Sequence, residues 1–535
     1  MKKRLTLLFS SLLMFLSFAP WSLAQDVLRD DKPSPVDEVA MERLVKRAMQ
    51  EFNVPGMAIG VVQGGNIIYA KGHGIRELGH RHKVDDKTLF KIASNTKAFT
   101  TAALALLVDE GRLSWETPVI DYIPEFRMSD PWITAEFSVT DLLTHRSGLR
   151  RFVGDLLLWP EPNDYTEADV IRALKHFELV SGFRTRYAYD NLLYIVAGEI
   201  VPRVTGQPWG NFVDERIMQP LEMKRCFAGP VPKGQMKNIA APHGEVDGQL
   251  MVIERSRIGS RPPMSAAAGG IVCSLSDMLI WVKTQLARGL APAGSPLFSR
   301  QRSEEMWTPE TWNGVSDRDY ELHGTHFSAY GLGWRLRDVH GYLEVSHTGT
   351  LAGMLSAVVL IPELDIGVVY LSNGSASDAR SAVTLAVTRS FMPVPERDWI
   401  ATVKETRRLR EERRAENNAD GLMTITEPAP GAVLENPSRY TGRFTDPWFG
   451  EASISLRNGK LFWSAKKSAK LSGEMTYLRD ESFLLRWTDR TVEMDAVVQF
   501  ELDKAGKAQH MRMNRVIEDT ERSLDFEDLN FTRID

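Results

Sequence analysis

Apolar residues recur along this chain first at helical intervals, then as short strand-like runs, and the two kinds fall in blocks. Over residues 37–52, Val39, Leu44, Val45 and Ala48 return at helical spacing and predict one amphipathic helix. The apolar runs 57–62 and 67–70 are joined through Gly64-Gly65-Asn66, a hairpin composition. Residues 98–108 are rich in Ala and Leu and stop at Gly111, which predicts a buried helix. Between 112 and 270, helical stretches at 167–177 and 192–204 alternate with Pro and Gly turns, and 276–288 predicts another amphipathic helix behind a serine cap. Four strand candidates follow at 331–337, 342–347, 356–361 and 366–372, the last two separated by Pro362-Glu363-Leu364-Asp365, and a helix over 379–391 closes the block. Strands at both ends of a helical middle imply one sheet assembled from both ends of a domain.

The pattern changes after residue 395. Residues 396–420 are densely charged, including Arg407-Arg408-Leu409-Arg410-Glu411-Glu412-Arg413-Arg414, and the mixed signs suit a solvated linker helix better than a nucleic-acid patch. Glu427-Pro428-Ala429-Pro430-Gly431 reads as a break. From Tyr440, short runs at 452–456, 461–464, 483–487, 496–502 and 511–516, with Gly459 and Gly506 at turns, predict a small antiparallel barrel or sandwich of roughly 100 residues. The expected organisation is a leader at 1–24, a main domain at 25–395, a charged linker at 396–436 and a small β domain at 437–535.

The first residues change the expected compartment. Lys2, Lys3 and Arg4 precede an apolar run over 5–18, and Ser22-Leu23-Ala24 offers a small-residue cleavage site, the layout of a secretory signal. That run is short for a bilayer span and no later one is longer, so a signal anchor is the weaker reading. The expectation is a periplasmic or secreted protein whose mature chain has no stable membrane insertion. Among 535 residues, 43% hydrophobic and 25% charged is ordinary soluble composition. Removing the three basic residues takes the formal charge from −5 to −8, which points to no nucleic-acid partner. Export permits a disulfide, but Cys226 and Cys273 alone leave open a pair or two separate buried thiols.

Candidate chemistry begins at Ser94 and Lys97. Positions i and i+3 of a helix share a face, so the amine can reach the hydroxyl. The helix N-terminus and apolar neighbours favour, respectively, a reactive oxygen and an amine that gives up its proton. The same spacing recurs at Ser464 and Lys467, where flanking aromatics and a basic cluster suggest a strand end and an exposed turn without chemistry. The first copy gains weight from Tyr189-Asp190-Asn191 and His347-Thr348-Gly349, in that order.

Together these residues resemble the three motifs of the serine beta-lactamase and penicillin-binding-protein superfamily, in its class C-like branch of S12-type peptidases and esterases. The runs Ser138-Val139-Thr140-Asp141-Leu142-Leu143-Thr144-His145-Arg146-Ser147-Gly148-Leu149 and Ala267-Ala268-Gly269-Gly270-Ile271-Val272 resemble two further family segments, so the likeness spans 37–392. It implies an α/β (α+β) fold, an antiparallel sheet flanked by helices beside a mainly helical subdomain. The small β domain is similar to the lipocalin-like C-terminal domain of some members.

The resemblance also implies roles. Ser94 attacks a carbonyl and an acyl-enzyme forms, to be released by water. Tyr189 is the favoured proton acceptor, its phenol lowered by the Lys97 ammonium, with neutral Lys97 as the alternative and Tyr187 in reserve. Asn191 is expected to donate to the substrate carbonyl and help position Lys97. The backbone N–H groups of Ser94 and Thr350 would hold the oxyanion, with Gly349 allowing close approach. His347 stands where penicillin-processing members carry lysine. The weaker positive field this implies argues against an efficient beta-lactamase or a carboxypeptidase selecting a terminal carboxylate. The leading expectation is an exported peptidase or amidase acting on small peptides or wall-like fragments. The alternatives are an esterase, or a binding protein with little turnover. His80, His82, His323 and His326 lack metal-ligand spacing and there is no His-Glu-x-x-His, so neither metal nor cofactor is expected; His145 is expected to be structural. The expected partner is a small-molecule or peptide substrate.

Overall fold

A computed structural model describes residues 36–254, 258–259, 263–419, 428–429, 433–492, 494–516 and 524–535. The leader and most of the 427–431 break lie outside the described residues. The main sheet has eight strands in the order Asn66–Gly74, Gly56–Gln63, Ile366–Ser372, Met354–Ile361, Tyr342–Leu351, Arg335–Val339, Ser328–Tyr330 and Thr311–Asn313. Every neighbouring pair is antiparallel, and the first hairpin joins the last strand with Met57 opposite Ser372.

The two central strands are buried along their whole length, because helices cover both faces. Met57, Ile59 and Val61 pack with Val359 and Val368 beneath the helices Glu38–Glu51 and Ser377–Arg389. Ala58 and Val62 point the other way, toward Leu279 and Val282 of the helix Leu275–Leu286. Strand alternation thus divides the core into two layers. Behind the second layer lies the helical subdomain, centred on the helices Thr96–Asp109 and Leu192–Thr205.

Several elements depart from the expected boundaries. Val39 is 59% exposed and Met41 takes the buried place beside Val45 and Ala48. Asp37 caps this helix, so its first turn faces water. Residues 331–334 form a turn rather than a strand start, with Gly333 at φ 81. The expected solvated linker is a helix, Trp399–Ala419, whose first turn is docked: Ile400 and Val403 are buried and Arg47 pairs with Asp398 at 2.7 Å. Beyond it, exposed i,i+4 pairs such as Arg407–Glu411 carry the charge expected of a solvated helix. Cys226 and Cys273 face each other across neighbouring strands and form a disulfide.

The C-terminal domain is a closed eight-stranded barrel running from Gly442–Asp446 to Asn530–Arg533. Its interior holds Trp463, Trp487, Phe483, Phe500 and Phe531. Among the described residues, no helix is long and apolar enough to cross a membrane.

Candidate active site

Ser94 sits in a 3-10 turn, Ala93–Asn95, that runs directly into the helix Thr96–Asp109. Ala93 has φ 48, a left-handed conformation that costs a residue with a Cβ roughly 1–3 kcal/mol and persists only where packing imposes it. Ser356 of the sheet clamps this turn, donating to Ile92 O at 2.5 Å and accepting from Asn95 Nδ2 at 2.7 Å. The strand Tyr342–Leu351 presses on the same turn: a Cβ on Gly349 would lie 2.2 Å from Ile92 O and 3.0 Å from Ala93 Cβ. Only glycine fits there. Thr350 follows, exposed, with its hydroxyl accepting from Arg380 at 3.1 Å.

Lys97 is fully buried, and its Nζ lies 3.2 Å from Ser94 Oγ, 2.9 Å from Asn191 Oδ1 and 2.9 Å from Ala268 O. Burial pushes the amine down to about 7; Asp155 and Asp190 oppose this and Arg335 adds to it. A neutral amine carries two hydrogens and one lone pair. It can donate to the two carbonyl oxygens while accepting the Ser94 proton, which matches these three contacts.

Tyr189 arrives on the loop before the helix Leu192–Thr205. Its carbonyl accepts from Phe152 N at 2.8 Å, and Ala188 N donates to His145 O at 2.8 Å, so the 145–152 and 184–189 segments hold each other. Lys97 Nζ is 4.9 Å from the Tyr189 ring centre. The expected lowering of this phenol is overturned: burial pushes it up to about 12, although Arg335 and the Ser94 hydroxyl favour the ionised form. With Lys97 tending to neutrality, the ammonium meant to stabilise phenolate is largely missing. Tyr187 is half-buried and is also raised, by desolvation, with its hydroxyl lacking a partner among the described residues.

Two other motif residues make contacts within the fold. Asn191 positions Lys97 through Oδ1, as expected, while its Nδ2 donates to both Asp155 oxygens, at 3.1 and 3.0 Å. His347 is fully buried, its Nδ1 donating to Thr348 O at 2.8 Å and its Nε2 accepting from the Tyr330 hydroxyl at 2.9 Å. Both ring nitrogens are taken, so the imidazole braces the strand instead of greeting a ligand. Burial and the nearby Arg335 and Lys97 hold it well below the usual histidine range, hence neutral.

The site also contains groups that the motifs did not announce. Asp155 anchors Asn191 from an unrelated loop. Arg335 is half-buried and lies 5.6 Å from the Tyr189 ring centre, so the positive field expected to be weak without a lysine at 347 has another source. His145, held at φ 55, accepts from Asp190 N at 3.1 Å and packs at a tilt with its ring centre 4.2 Å from that of Tyr189, which fixes the motif tyrosine. A cavity of about 410 Å³ opens beside the turn that receives the Lys97 hydrogen bond. Its wall includes Ser265, Gly270, Tyr165, Ile258 and the Lys91–Glu161 ion pair of 3.0 Å.

Ser464 and Lys467 lie in the barrel, far in the chain from this constellation. Ser464 Oγ bonds Ser453 Oγ at 3.0 Å, and Lys467 pairs with Asp169 at 2.8 Å, a contact between the domains.

Comparison with known proteins gives consistent likenesses. A family model described as Beta-lactamase matches residues 41–389, and one described as Domain of unknown function (DUF3471) matches 428–533. Unguisins hydrolase ungD' of Aspergillus campestris is 27% identical over 89% of this chain and 89% of its own length. Unguisins hydrolase ungD of Aspergillus violaceofuscus is 28% identical over 81% of this chain and 79% of its own. Protein flp of Staphylococcus aureus is 25% identical over 62% of each. The octameric penicillin-binding protein homologue from Pyrococcus abyssi shares the fold, with TM-score 0.58 and 20% identity over 93% of this chain and all of that one.

Proposed function

Since the chain belongs to the beta-lactamase family, we propose that it is an exported serine hydrolase that forms an acyl-enzyme on Ser94 and cleaves amide bonds of small peptides or related molecules. The observation that carries this reading is the convergence of Ser94 Oγ, Asn191 Oδ1 and Ala268 O on one buried amine. In this mechanism neutral Lys97 takes the Ser94 proton as the oxygen attacks the carbonyl. The oxyanion is met by backbone N–H groups of Ser94 and Thr350. The leaving amine takes a proton from Tyr189, which regains one from the Lys97 ammonium. The serine proton therefore ends on the amine as the C–N bond breaks, and water then releases the acyl group as the acid.

Amide over ester follows from Tyr189. A phenol held protonated beside the nucleophile supplies what an amine needs in order to leave, and an ester's oxygen leaving group depends on it less. Gly349 and Thr350 lie on the strand edge where a substrate backbone would bind. His347 and Asn191 are proposed as positioning groups. The names of the Aspergillus relatives support hydrolysis as the reaction class. The basic start Lys2-Lys3-Arg4, the apolar run over 5–18 and Ser22-Leu23-Ala24 support a periplasmic or secreted site of action.

The test is a matched panel of amino-acid anilides and aryl esters with one acyl group. Tyr189→Phe is expected to lower kcat/KM for the anilides about 100-fold or more, and for the esters about tenfold or less. Equal losses on both would leave no role for the phenol as proton donor to the leaving group.

A further inference from the structure

Two carboxylates of the C-terminal barrel reach the loop beside the active site: Asp528 pairs with Arg150 at 2.6 Å, and Asp525 caps the turn that follows. Asp525 lies between the last two barrel strands, Ala508–Arg515 and Asn530–Arg533, and is 3% exposed. It leaves its own domain to accept from Gly154 N at 2.5 Å and Leu156 N at 3.1 Å, one hydrogen bond on each oxygen. Those amides bracket Asp155, the first residue of a 3-10 turn Asp155–Leu157 that Gly154 enters at φ 74. The turn is wedged on its other side, since a Cβ at Gly154 would lie 2.4 Å from Leu192 and 2.8 Å from Phe177. Between the two amides that Asp525 holds, the Asp155 side chain accepts both hydrogen bonds from Asn191, which in turn accepts from Lys97 at 2.9 Å.

We infer that Asp525 is a positioning residue of the active site, setting the place of Lys97 through the 154–156 turn, Asp155 and Asn191. Hydrogen bonds from backbone amides to a buried carboxylate are among the stronger kind, so this capping fixes the turn more firmly than its short 3-10 geometry would. Chains of groups each locked by the next are how a remote side chain governs a reacting one. Other contacts join the domains elsewhere: Tyr165 donates to Phe449 O at 2.7 Å, Trp448 lies against Phe177, and Lys467 pairs with Asp169. None of these touches the 154–156 amides, so docking and positioning can be separated. The barrel is thus a working part of the hydrolase site, and not an attached module.

The inference rests on the hydrolase reading, and two readouts in the full-length protein keep them apart. The first is the second-order rate at which a fluorophosphonate labels Ser94, compared among wild type, Asp525→Ala, Asp525→Asn and Lys467→Met. Asp525→Ala is expected to label about tenfold more slowly or worse, Asp525→Asn to fall between because one acceptor survives, and Lys467→Met to match wild type. Where turnover is measured, kcat is expected to fall while KM stays within about twofold. The second readout needs no catalysis. The ¹³Cε resonance of Lys97, assigned by its loss in Lys97→Arg, is expected to move in Asp525→Ala or Asp525→Asn and to stay put in Lys467→Met. Unchanged labelling and an unmoved Lys97 resonance in the Asp525 variants overturn the inference, as does equal slowing by Lys467→Met, which would make docking the cause. A wild-type protein that never labels overturns the hydrolase reading, and the Lys97 resonance then still decides for or against Asp525.

Discussion

Ser94→Ala is expected to abolish fluorophosphonate labelling and to lower turnover of any accepted substrate by at least roughly 1,000-fold, with little change in thermal stability. The loss is large because the neighbouring Thr96 and Thr100 hydroxyls cannot substitute. Thr96 Oγ1 accepts from Ile271 N at 3.2 Å, and Thr100 Oγ1 donates to Ala267 O at 2.6 Å, so both are spent on structure. Ser464, the other serine with lysine three residues on, is bonded to Ser453 in the barrel wall. Stability is spared because Lys97 keeps two strong acceptors, Asn191 Oδ1 and Ala268 O, when the serine oxygen is removed. Residual stoichiometric labelling of the variant, mapped to another residue by mass spectrometry, would contradict this assignment.

Lys97→Arg is expected to be nearly as damaging, a loss of about 10²–10⁴-fold in Ser94 labelling. Arginine keeps a positive charge but does not release its proton at any pH the protein survives. Lys97→Met removes both charge and base, and the two variants are expected to fall together. This comparison separates the two roles available to Lys97. If the amine served only as a cation beside an ionised Tyr189, arginine would retain much of the activity that methionine loses. The site has little tolerance for the longer side chain, since Lys97 Nζ already lies 4.9 and 5.2 Å from the Tyr189 and Tyr194 ring centres. Far-ultraviolet dichroism and melting temperature, measured on both variants, show whether the helix around position 97 survives.

What the sequence revealed and what it hid follow from how local each signal is. Ser94 and Lys97 are legible because three residues of helix bring them together without help from the rest of the fold. The eight-stranded sheet is legible at its centre, where 354–361 and 366–372 are continuous apolar runs, and illegible at its edge. Ser328–Tyr330 and Thr311–Asn313 have three residues each, too few for a period to register. Barrel strands Gly442–Asp446 and Asn530–Arg533 have only two buried positions each amid Thr, Arg, Asn and Asp, and do not stand out as apolar runs. Ser472–Arg479 was missed because Gly473 and a bulge between Tyr477 and Arg479 break its alternation.

The unexpected contacts at the site have a common cause. Spacing names the side chains that gather but not which way their polar atoms turn. Asn191 and His347 occupy motif positions, yet Asp155 and Tyr330 claim their donors and acceptors from loops and strands with no motif of their own. Burial, a property of the whole fold, outweighs the neighbouring charges that a motif makes visible and turns the Tyr189 shift upward. Asp525 acts from 371 residues beyond Gly154 in the chain, and a lone aspartate in a charged tail carries no local sign of it.

The most direct test of the Lys97 mechanism is the titration of that one amine, followed by ¹³Cε shift in protein labelled at lysine. Rate profiles alone are ambiguous here, because burial also pushes the Asp190 and Asp525 carboxyls up to about 7, in the same range. A lysine base works in its neutral form, so labelling of Ser94 should rise with pH as this amine loses its proton. The expected result is a Lys97 midpoint near pH 7 that coincides with the rise in labelling rate. A resonance that stays that of a charged ammonium up to about pH 10, while Ser94 reacts at full rate at pH 8, would contradict it.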